Sequence, residues 1–385
     1  MIESTRRQIA RNSAPKGIRL LGAGALNGIC RWPLRSTCSW TPVSVKIGVN
    51  SVCNARCLTC DVGTKNVETP FFRNNTTSEL RPDMPFELAT RIIDQLSSVR
   101  PQICIDSTEP LLYRDLGRLV RYVKSRRMSC LVLTNGLLLA DRARKIVDSG
   151  LDELVVSIDG PAEVNDSVRR VPGLTEKAFS GIQEMHRLKQ RIGGSTGPKI
   201  KVNVVISEHT QHTLAELLST LRDLEAGIAA VTLYHQNFIS PEMSDAHNRA
   251  WGTELPVTAA NCASADPSNV DPDSLAAMVG TVERTDFPFR IRWVPYLRSP
   301  VALRRFYTAH LETIGSGRCL APWMILRVRP DGETGIIARC IELSLGNCCE
   351  SDILSIFNGA GIRRLRRILL DHGPLPACFR CCGAL

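Results

Sequence analysis

The sequence predicts an α/β fold in which parallel strands alternate with helices, followed by a small cysteine-rich region. Two observations predict it: short apolar runs recur from residue 42 to residue 236, and segments of helical periodicity separate them. Strands joined through helices pair in parallel, with right-handed connections. Such strands form either a closed barrel or an open sheet, and functional residues then follow their carboxyl ends.

The predicted strands and helices follow one another regularly. The strands are PVSVKIGV at 42, ICID at 103, CLVLTNG at 130, LVVSIDG at 154, KVNVVIS at 201 and VTLYHQ at 231. The predicted helices begin at residues 86, 114, 140, 176 and 212. Gly150 and Gly227 fall just after two of them, where a left-handed cap is common.

Three further segments flank these units. Residues 1–41 are rich in arginine and form a basic N-terminal arm. Residues 237–300 are rich in Pro, Ser, Ala and Asp, which predicts a long linker with a single helix that caps the substrate pocket. Residues 301–385 form the cysteine-rich domain, with a hairpin around RPDGET and a helix over 352–371.

Composition limits the class of protein. Hydrophobic residues make up 43% and charged residues 22% of the chain, as in soluble globular proteins. No apolar run approaches the roughly 20 residues of a membrane span, and no signal peptide is apparent. The net charge of +10 indicates a solvated basic face or an anionic partner, but no zinc-finger or RNA-binding signature accompanies it. Fifteen cysteines without an export signal favour reduced, metal-binding thiolates in the cytoplasm.

The stretch SVCNARCLTC holds three cysteines directly after the first strand. Cys53, Cys57 and Cys60 have the spacing C-x3-C-x2-C. A structural zinc site usually has four ligands, and a zinc loop is the alternative reading of these cysteines. Three thiolates instead leave one iron of a [4Fe–4S] cluster open to a substrate or cofactor.

At this point the chain resembles the radical S-adenosylmethionine (SAM) superfamily. The resemblance extends over residues 43–236 and implies a partial (β/α)6 TIM-like barrel. It implies that the open iron is chelated by SAM. One electron then cleaves the sulfonium to methionine and a 5′-deoxyadenosyl radical.

The same resemblance implies a set of SAM contacts. In DSTEPLL the family's Gly-Gly-Glu-Pro motif keeps its Glu and Pro but has Ser107 and Thr108 in place of the glycines. The implied cofactor-binding residues lie in or just after the second to fifth strands and are Glu109, Asn135, Ser157, Arg169 and Asn203. His235, at the end of the sixth strand, is expected to point into the mouth of the barrel and contact the substrate or the adenine side of SAM.

The C-terminal cysteines resemble the SPASM/twitch extension of radical SAM enzymes. The pattern C-x15-G-x4-C is followed by C-x2-C, which implies an auxiliary [4Fe–4S] cluster bound by Cys319, Cys340, Cys378 and Cys381. A four-cysteine zinc site is the alternative. The remaining cysteines that could donate a hydrogen atom are Cys130, Cys348, Cys349 and Cys382.

The expected function is that of a radical SAM oxidoreductase or epimerase. It would abstract a hydrogen atom from a small polar natural-product intermediate, such as a sugar or aminocyclitol, with a flavodoxin or ferredoxin as electron donor. Peptide modification is one alternative. A non-catalytic, zinc-stabilised scaffold is another.

Overall fold

The computed structural model describes residues 36–77, 83–106, 108–193, 197–259, 266–314, 319–336 and 341–381. These residues contain one ten-stranded sheet. Its strands are β1 (Ser44–Ile47), β2 (Gln102–Ile105), β3 (Cys130–Thr134), β4 (Glu153–Ser157), β5 (Lys199–Ile206), β6 (Ala230–His235), β7 (Arg290–Val294), β8 (Ile325–Val328), β9 (Glu333–Gly335) and β10 (Gly346–Asn347).

Helices connect or follow these strands. They are α1 (Pro70–Asn75), α2 (Phe86–Gln95), α3 (Leu116–Ser125), α4 (Leu139–Asp148), α5 (Ala162–Arg169), α6 (Leu174–Arg191), α7 (Leu214–Asp223), α8 (Pro241–Trp251), α9 (Pro272–Arg284), α10 (Pro300–Thr308), α11 (Ala321–Met324), α12 (Ile353–Phe357) and α13 (Ala360–His372). Their amphipathic sequences explain their place. In α3, for example, Leu119 and Val123 are fully buried and lie one turn apart.

The sheet runs in the order β10-β9-β8-β1-β2-β3-β4-β5-β6-β7. Strands β1 to β7 are parallel, and β8 pairs in parallel with β1, whereas β9 pairs antiparallel with β8 and β10 pairs antiparallel with β9. Among the described strands β7 and β10 do not pair with each other, so the sheet is open, with β7 at one edge and β10 at the other. The parallel α/β prediction is confirmed.

The two faces of the sheet differ in composition. In β5, Val202 and Val204 are fully buried against the helices, whereas Lys201 and Asn203 are half-buried on the opposite face. Strands β1 and β2 alternate in the same way. We call this second, more polar face the inner face. Candidate functional side chains lie on this inner face, toward the carboxyl ends of the strands.

The segment 237–300 differs from its prediction as a linker with a single helix. It contains α8, α9 and strand β7, which pairs with β6 and extends the sheet. The sequence RIRWV does alternate, since Ile291 and Trp293 face away from Arg290 and Arg292. The alternation was not recognised as a strand because Arg290 and Arg292 are charged. Both are exposed at the sheet edge.

The C-terminal region joins the same sheet. Strands β8 and β9 form the predicted hairpin. The helix expected over 352–371 is instead two helices, α12 and α13, which are separated at Asn358 and Gly359. Asn358 is used in tertiary contacts, because its side chain accepts hydrogen bonds from the Ser39 backbone at 2.9 Å and from Arg366 Nη1 at 2.9 Å.

Candidate functional site

The three-cysteine loop lies at the carboxyl end of β1. Its backbone is fixed by the end of α5, since Arg56 N donates to Arg169 O at 3.1 Å and Leu58 N donates to Val168 O at 2.8 Å. The loop also packs tightly on itself. A Cβ atom at Gly63 would lie 2.6 Å from Cys57 N, so only glycine fits there. Sequence reasoning missed Gly63, although its place three residues after the last cysteine was visible.

The three thiols are close enough to influence one another. The pKa of Cys53 is raised to about 11 and that of Cys57 to about 12, chiefly by burial, and negative charge on Cys60 contributes to both shifts. Arg169 opposes the shift at both sites. Buried thiols of this kind become thiolates beside strong positive charge, which iron supplies.

The donor set fits three corners of a [4Fe–4S] cluster. Three half-buried thiols lie on one loop, with amide and guanidinium groups beside them. Among the residues that the structure describes, no three His, Cys, Asp or Glu side chains are spaced to hold a single metal ion.

Arg169 lies beside the cysteine loop. Its Nη1 is 4.0 Å from Cys57 Sγ, its Nη2 donates to Asp159 Oδ2 at 2.7 Å, and its Nε donates to Asn165 Oδ1 at 3.0 Å. The Arg169 and Asp159 side chains are only 7% and 2% exposed. Sequence reasoning found Arg169 but missed Asp159, although it stands in the quoted SIDG stretch.

Glu109 joins the ends of two strands. Its carboxylate accepts hydrogen bonds from Leu111 N at 2.9 Å, Thr134 Oγ1 at 2.7 Å and Asn135 N at 2.8 Å. The first of these caps the short 3-10 helix Pro110–Leu112. Burial raises the pKa of Glu109, and these three donors oppose that shift. The implied role of Glu109 in binding SAM stays a prediction, and Ser107 lies outside the described residues.

Asn135 reaches the cysteine loop. Its Nδ2 donates to Asn54 Oδ1 at 2.7 Å and lies 3.9 Å from Cys53 Sγ. Glu109 holds the Asn135 backbone, so the loops after β2 and β3 meet at the cysteines. The geometry therefore brings Glu109, Asn135 and Arg169 together with the three thiols.

Ser157 and Asn203 lie side by side on the inner face. They are register partners on β4 and β5, and Thr232 of β6 is the next partner in the same row. Their half-buried side chains form a polar wall at the carboxyl half of the sheet. The sequence did not single out Thr232, whose place depends on the strand register.

His235 does not point into the mouth of the barrel, and that expectation was wrong. It alternates with Tyr234 and is only 1% exposed, on the helix-covered face. Its Nδ1 lies 2.8 Å from the Tyr307 hydroxyl, and its ring packs against Trp293 and Phe306. Burial lowers the pKa of His235 to about 3, so the ring is neutral. A contact with substrate therefore has no support.

Three of the four expected auxiliary ligands, Cys319, Cys378 and Cys381, lie among the described residues. Burial raises the pKa of Cys319, and negative charge on Cys378 and Cys381 contributes to that shift. Their grouping around one cluster stays a prediction. Cys340 and Cys382 lie outside the described residues. Cys348 and Cys349 lie elsewhere, at the turn of the β8–β9 hairpin.

The sequence is similar to one family model and to several known proteins. The Radical SAM superfamily model matches residues 47–221. The chain is 27% identical over 185 residues to the Fe-coproporphyrin III synthase of Methanosarcina barkeri, covering 48% of this chain and 41% of that protein. It is 31% identical over 183 residues to a probable GTP 3′,8-cyclase of Methanopyrus kandleri, covering 47% and 53%. The chain thus spans about half the length of these relatives.

Solved structures share the fold over most of the chain. Streptococcus suis SuiB bound to S-adenosylmethionine has a TM-score of 0.60 at 12% identity, covering 94% of this chain and 78% of that chain. Native anSMEcpe with bound AdoMet has a TM-score of 0.55 at 12% identity, covering 86% and 84%. These likenesses support the partial TIM-like barrel. Among the described residues, no helix is both long and apolar enough to span a membrane.

Proposed function

We propose that this chain, which belongs to the radical SAM superfamily, abstracts a hydrogen atom from a small polar natural-product intermediate. The superfamily uses a [4Fe–4S] cluster and SAM. The observation that carries the proposal is the loop of Cys53, Cys57 and Cys60, with the Asn135 amide and the Arg169 guanidinium beside two of its sulfurs.

The chain's own residues bind and orient the cofactor in this proposal. Cys53, Cys57 and Cys60 hold the cluster. When bound with SAM, the cluster supplies the electron that yields a 5′-deoxyadenosyl radical. Glu109 and Asn135 fix the loops on one side of the cofactor. Ser157 and Asn203 offer polar groups to its ribose or carboxylate from the inner face.

The inner face also favours a polar substrate. Lys201 pairs with Glu153 at 2.7 Å, and Lys46 pairs with Asp106 at 2.6 Å. Lys46, Glu153 and Lys201 are half-buried, whereas Asp106 is buried. A reactive carbon would have to be held close to the cofactor and away from water. Polar side chains on this wall would orient such a substrate by its hydroxyl or amino groups.

Two outcomes for the substrate remain in the proposal. In dehydrogenation the substrate loses a hydrogen atom, then a proton and an electron. An auxiliary [4Fe–4S] cluster on Cys319, Cys340, Cys378 and Cys381 would supply the electron acceptor. In epimerisation a thiol, for which we propose Cys382, returns a hydrogen atom to the substrate radical, and one electron from the flavodoxin or ferredoxin with one proton from water would restore the thiol. In heavy water, epimerisation adds one deuterium to the product, whereas oxidation gives a product two hydrogens lighter.

Anaerobic reconstitution tests the proposed function. Incubation of the protein with SAM and dithionite is expected to give 5′-deoxyadenosine, measured by mass spectrometry, and a flavodoxin or ferredoxin should replace dithionite. Cys57→Ala should abolish the product, whereas Cys38→Ala, at an exposed cysteine, should not. Stoichiometric zinc without iron would instead support the non-catalytic scaffold and contradict the proposal.

Peptide modification is the second candidate function, and strand β7 favours it. Among the described strands β7 pairs with β6 alone, so its other edge can accept an extended chain. Arg290 and Arg292 are exposed on the inner face of this edge. The opposite face borders a groove of about 430 Å³ whose lining includes Phe287, Phe289, Ile291, Trp293 and Tyr296. An extended peptide with alternating acidic and apolar residues fits both faces.

Binding of a labelled peptide tests this second candidate. A fluorescent Gly-Glu-Val-Glu-Phe-Glu-Gly peptide should bind the wild type and lose at least about tenfold in affinity in Arg290→Glu/Arg292→Glu, because two attractive charges become repulsive. The same peptide with N-methylated backbone amides is the control and should bind weakly. No binding, or equal binding by the charge-reversed variant, would count against peptide docking at β7.

A further inference from the structure

The buried pair of Arg169 and Asp159 is held beside the cysteine loop by several hydrogen bonds. Asp159 is held from two sides, since its Oδ1 accepts from Val205 N at 2.9 Å and its backbone N donates to Asn165 Oδ1 at 2.8 Å. Asn165 also accepts from Arg169 Nε and donates to Thr175 Oγ1 at 2.7 Å. The pair is therefore a rigid dipole that is built into the ends of β4 and β5.

The orientation of this dipole determines which of its two charges lies nearest the cysteine loop. The guanidinium is the end that approaches the loop, with Nη1 at 4.0 Å from Cys57 Sγ. The Asp159 carboxylate binds Nη2, on the other nitrogen. Because both side chains are almost fully buried, water screens their charges little.

We propose that the Arg169–Asp159 pair sets the reduction potential of the iron–sulfur cluster held by Cys53, Cys57 and Cys60. The inference rests on the proposed function, because it requires that cluster. A positive charge beside a cluster thiolate favours the reduced state, which carries one more negative charge. The carboxylate of Asp159 limits this effect. Arg169 and Asp159 thus act on the potential in opposite directions, and Asp159 is a positioning residue.

Substitutions at the two positions should therefore shift the potential with opposite signs. In Arg169→Gln the ratio of reduced to oxidised cluster at a fixed applied potential should fall about tenfold or more. In Asp159→Asn the same ratio should rise, because the guanidinium loses its counter-charge while the Val205 N hydrogen bond keeps its acceptor. Arg169→Lys keeps the positive charge, so its ratio of reduced to oxidised cluster should stay near that of the wild type.

The measurement is an EPR-monitored redox titration of the reconstituted full chain in the absence of SAM. Without SAM, the implied role of Arg169 in binding that cofactor does not influence the result. Arg144→Gln is the matched control, because Arg144 and Asp148 form an ion pair whose side chains are 68% and 50% exposed. Its potential should equal that of the wild type.

The outcomes separate the two proposals. If no variant or wild-type protein holds a [4Fe–4S] cluster, the proposed function itself fails. If the cluster forms but Arg169→Gln and Asp159→Asn leave the potential unchanged, or shift it in the same direction, the charge pair does not tune it. The double variant Arg169→Gln/Asp159→Asn guards against misfolding of either single variant. It leaves no buried unpaired charge, and its reduction potential should lie between those of the two single variants.

Discussion

Gly63 shows how a single residue determines the shape of the cysteine loop. It lies against the backbone of Cys57, where a Cβ would lie 2.6 Å from N and 3.0 Å from O. Backbone atoms cannot move aside as the end of a side chain can. The loop therefore depends on the absence of a side chain at this position, independently of the three ligands.

Gly63→Ala should weaken cluster binding although it removes no ligand. Displacing the loop should cost about 1–3 kcal/mol and reduce the iron bound at Cys53, Cys57 and Cys60. Iron content per chain and 5′-deoxyadenosine formation measure the effect. Gly117→Ala is the control, because its Cβ would meet its nearest atom at 3.7 Å within helix α3. Full iron loading of Gly63→Ala would refute the argument.

His235 makes the stability of the fold depend on pH. Its pKa is lowered from 6.5 to about 3 in the folded state. The unfolded chain therefore binds a proton that the folded chain does not, and stability falls as pH decreases through 6.5 toward 3. Between pH 7.5 and 5.5 this residue should remove about 1.4 kcal/mol from the free energy of unfolding.

Urea unfolding at the two pH values, compared between variants, measures this contribution. His235→Phe should lose about that part of the pH dependence. Tyr307→Phe removes the 2.8 Å hydrogen bond to His235 Nδ1 but keeps the buried imidazole. This variant should therefore retain the pH dependence. An identical pH dependence in wild type and His235→Phe would contradict the buried, neutral state of the ring.

At the scale of elements, the β8–β9 hairpin clamps helix α1, which follows the cysteine loop. Arg327 Nε donates to Asn74 O at 3.3 Å, and its Nη2 donates to Asn75 Oδ1. Arg329 Nη1 donates to Arg73 O at 3.0 Å. Arg327 also lies 3.7 Å from Asp106, so the clamp reaches the inner face. The C-terminal region thus helps to hold the segment that leaves the cysteine loop.

Arg327→Met should release this clamp. It keeps the length of the side chain but leaves buried acceptors without their donor, at a cost of about 3 kcal/mol or more. Hydrogen exchange of residues 70–75 should accelerate at least tenfold. Arg304→Met is the control, because its partner Asp273 is exposed and such pairs contribute little. Unchanged exchange in Arg327→Met would show that α1 is held in another way.

The elements of this fold differ in how clearly the sequence predicts them. Strands β1 to β6 were predictable because their apolar runs alternate with helical periods. Strand β7 was missed because Arg290 and Arg292 resemble a solvated loop. The cysteine loop was recognised from spacing alone, and its role as a ligand set stays a prediction. The Asp159–Arg169 pair, Thr232 and the burial of His235 did not, since they depend on strand register and on which face a side chain takes.

At the scale of the whole molecule, the barrel and the cysteine-rich region share one core. Ser44 of β1 is the register partner of Ile325 of β8, so the sheet continues from one region into the other. Leu375 and Ala377 belong to the same buried apolar cluster as Val45 and Ile47. The proposed auxiliary ligands Cys378 and Cys381 lie directly after those residues. The two proposed clusters would therefore sit in one folded unit with separate ligand sets.

Removing the second ligand set should separate the two roles. Cys378→Ala/Cys381→Ala should lower the iron content from about eight to about four per chain, because one of two [4Fe–4S] clusters is lost. Since Cys53, Cys57 and Cys60 are untouched, SAM cleavage to 5′-deoxyadenosine should persist, while a dehydrogenated product should disappear. Iron analysis, EPR and mass spectrometry measure the three quantities. The vicinal pair Cys348→Ala/Cys349→Ala is the control, because it lies at the hairpin turn and should keep all of its iron. Undiminished iron in the first variant would show that these cysteines bind no cluster, and complete loss of iron would show that the two sites do not load independently.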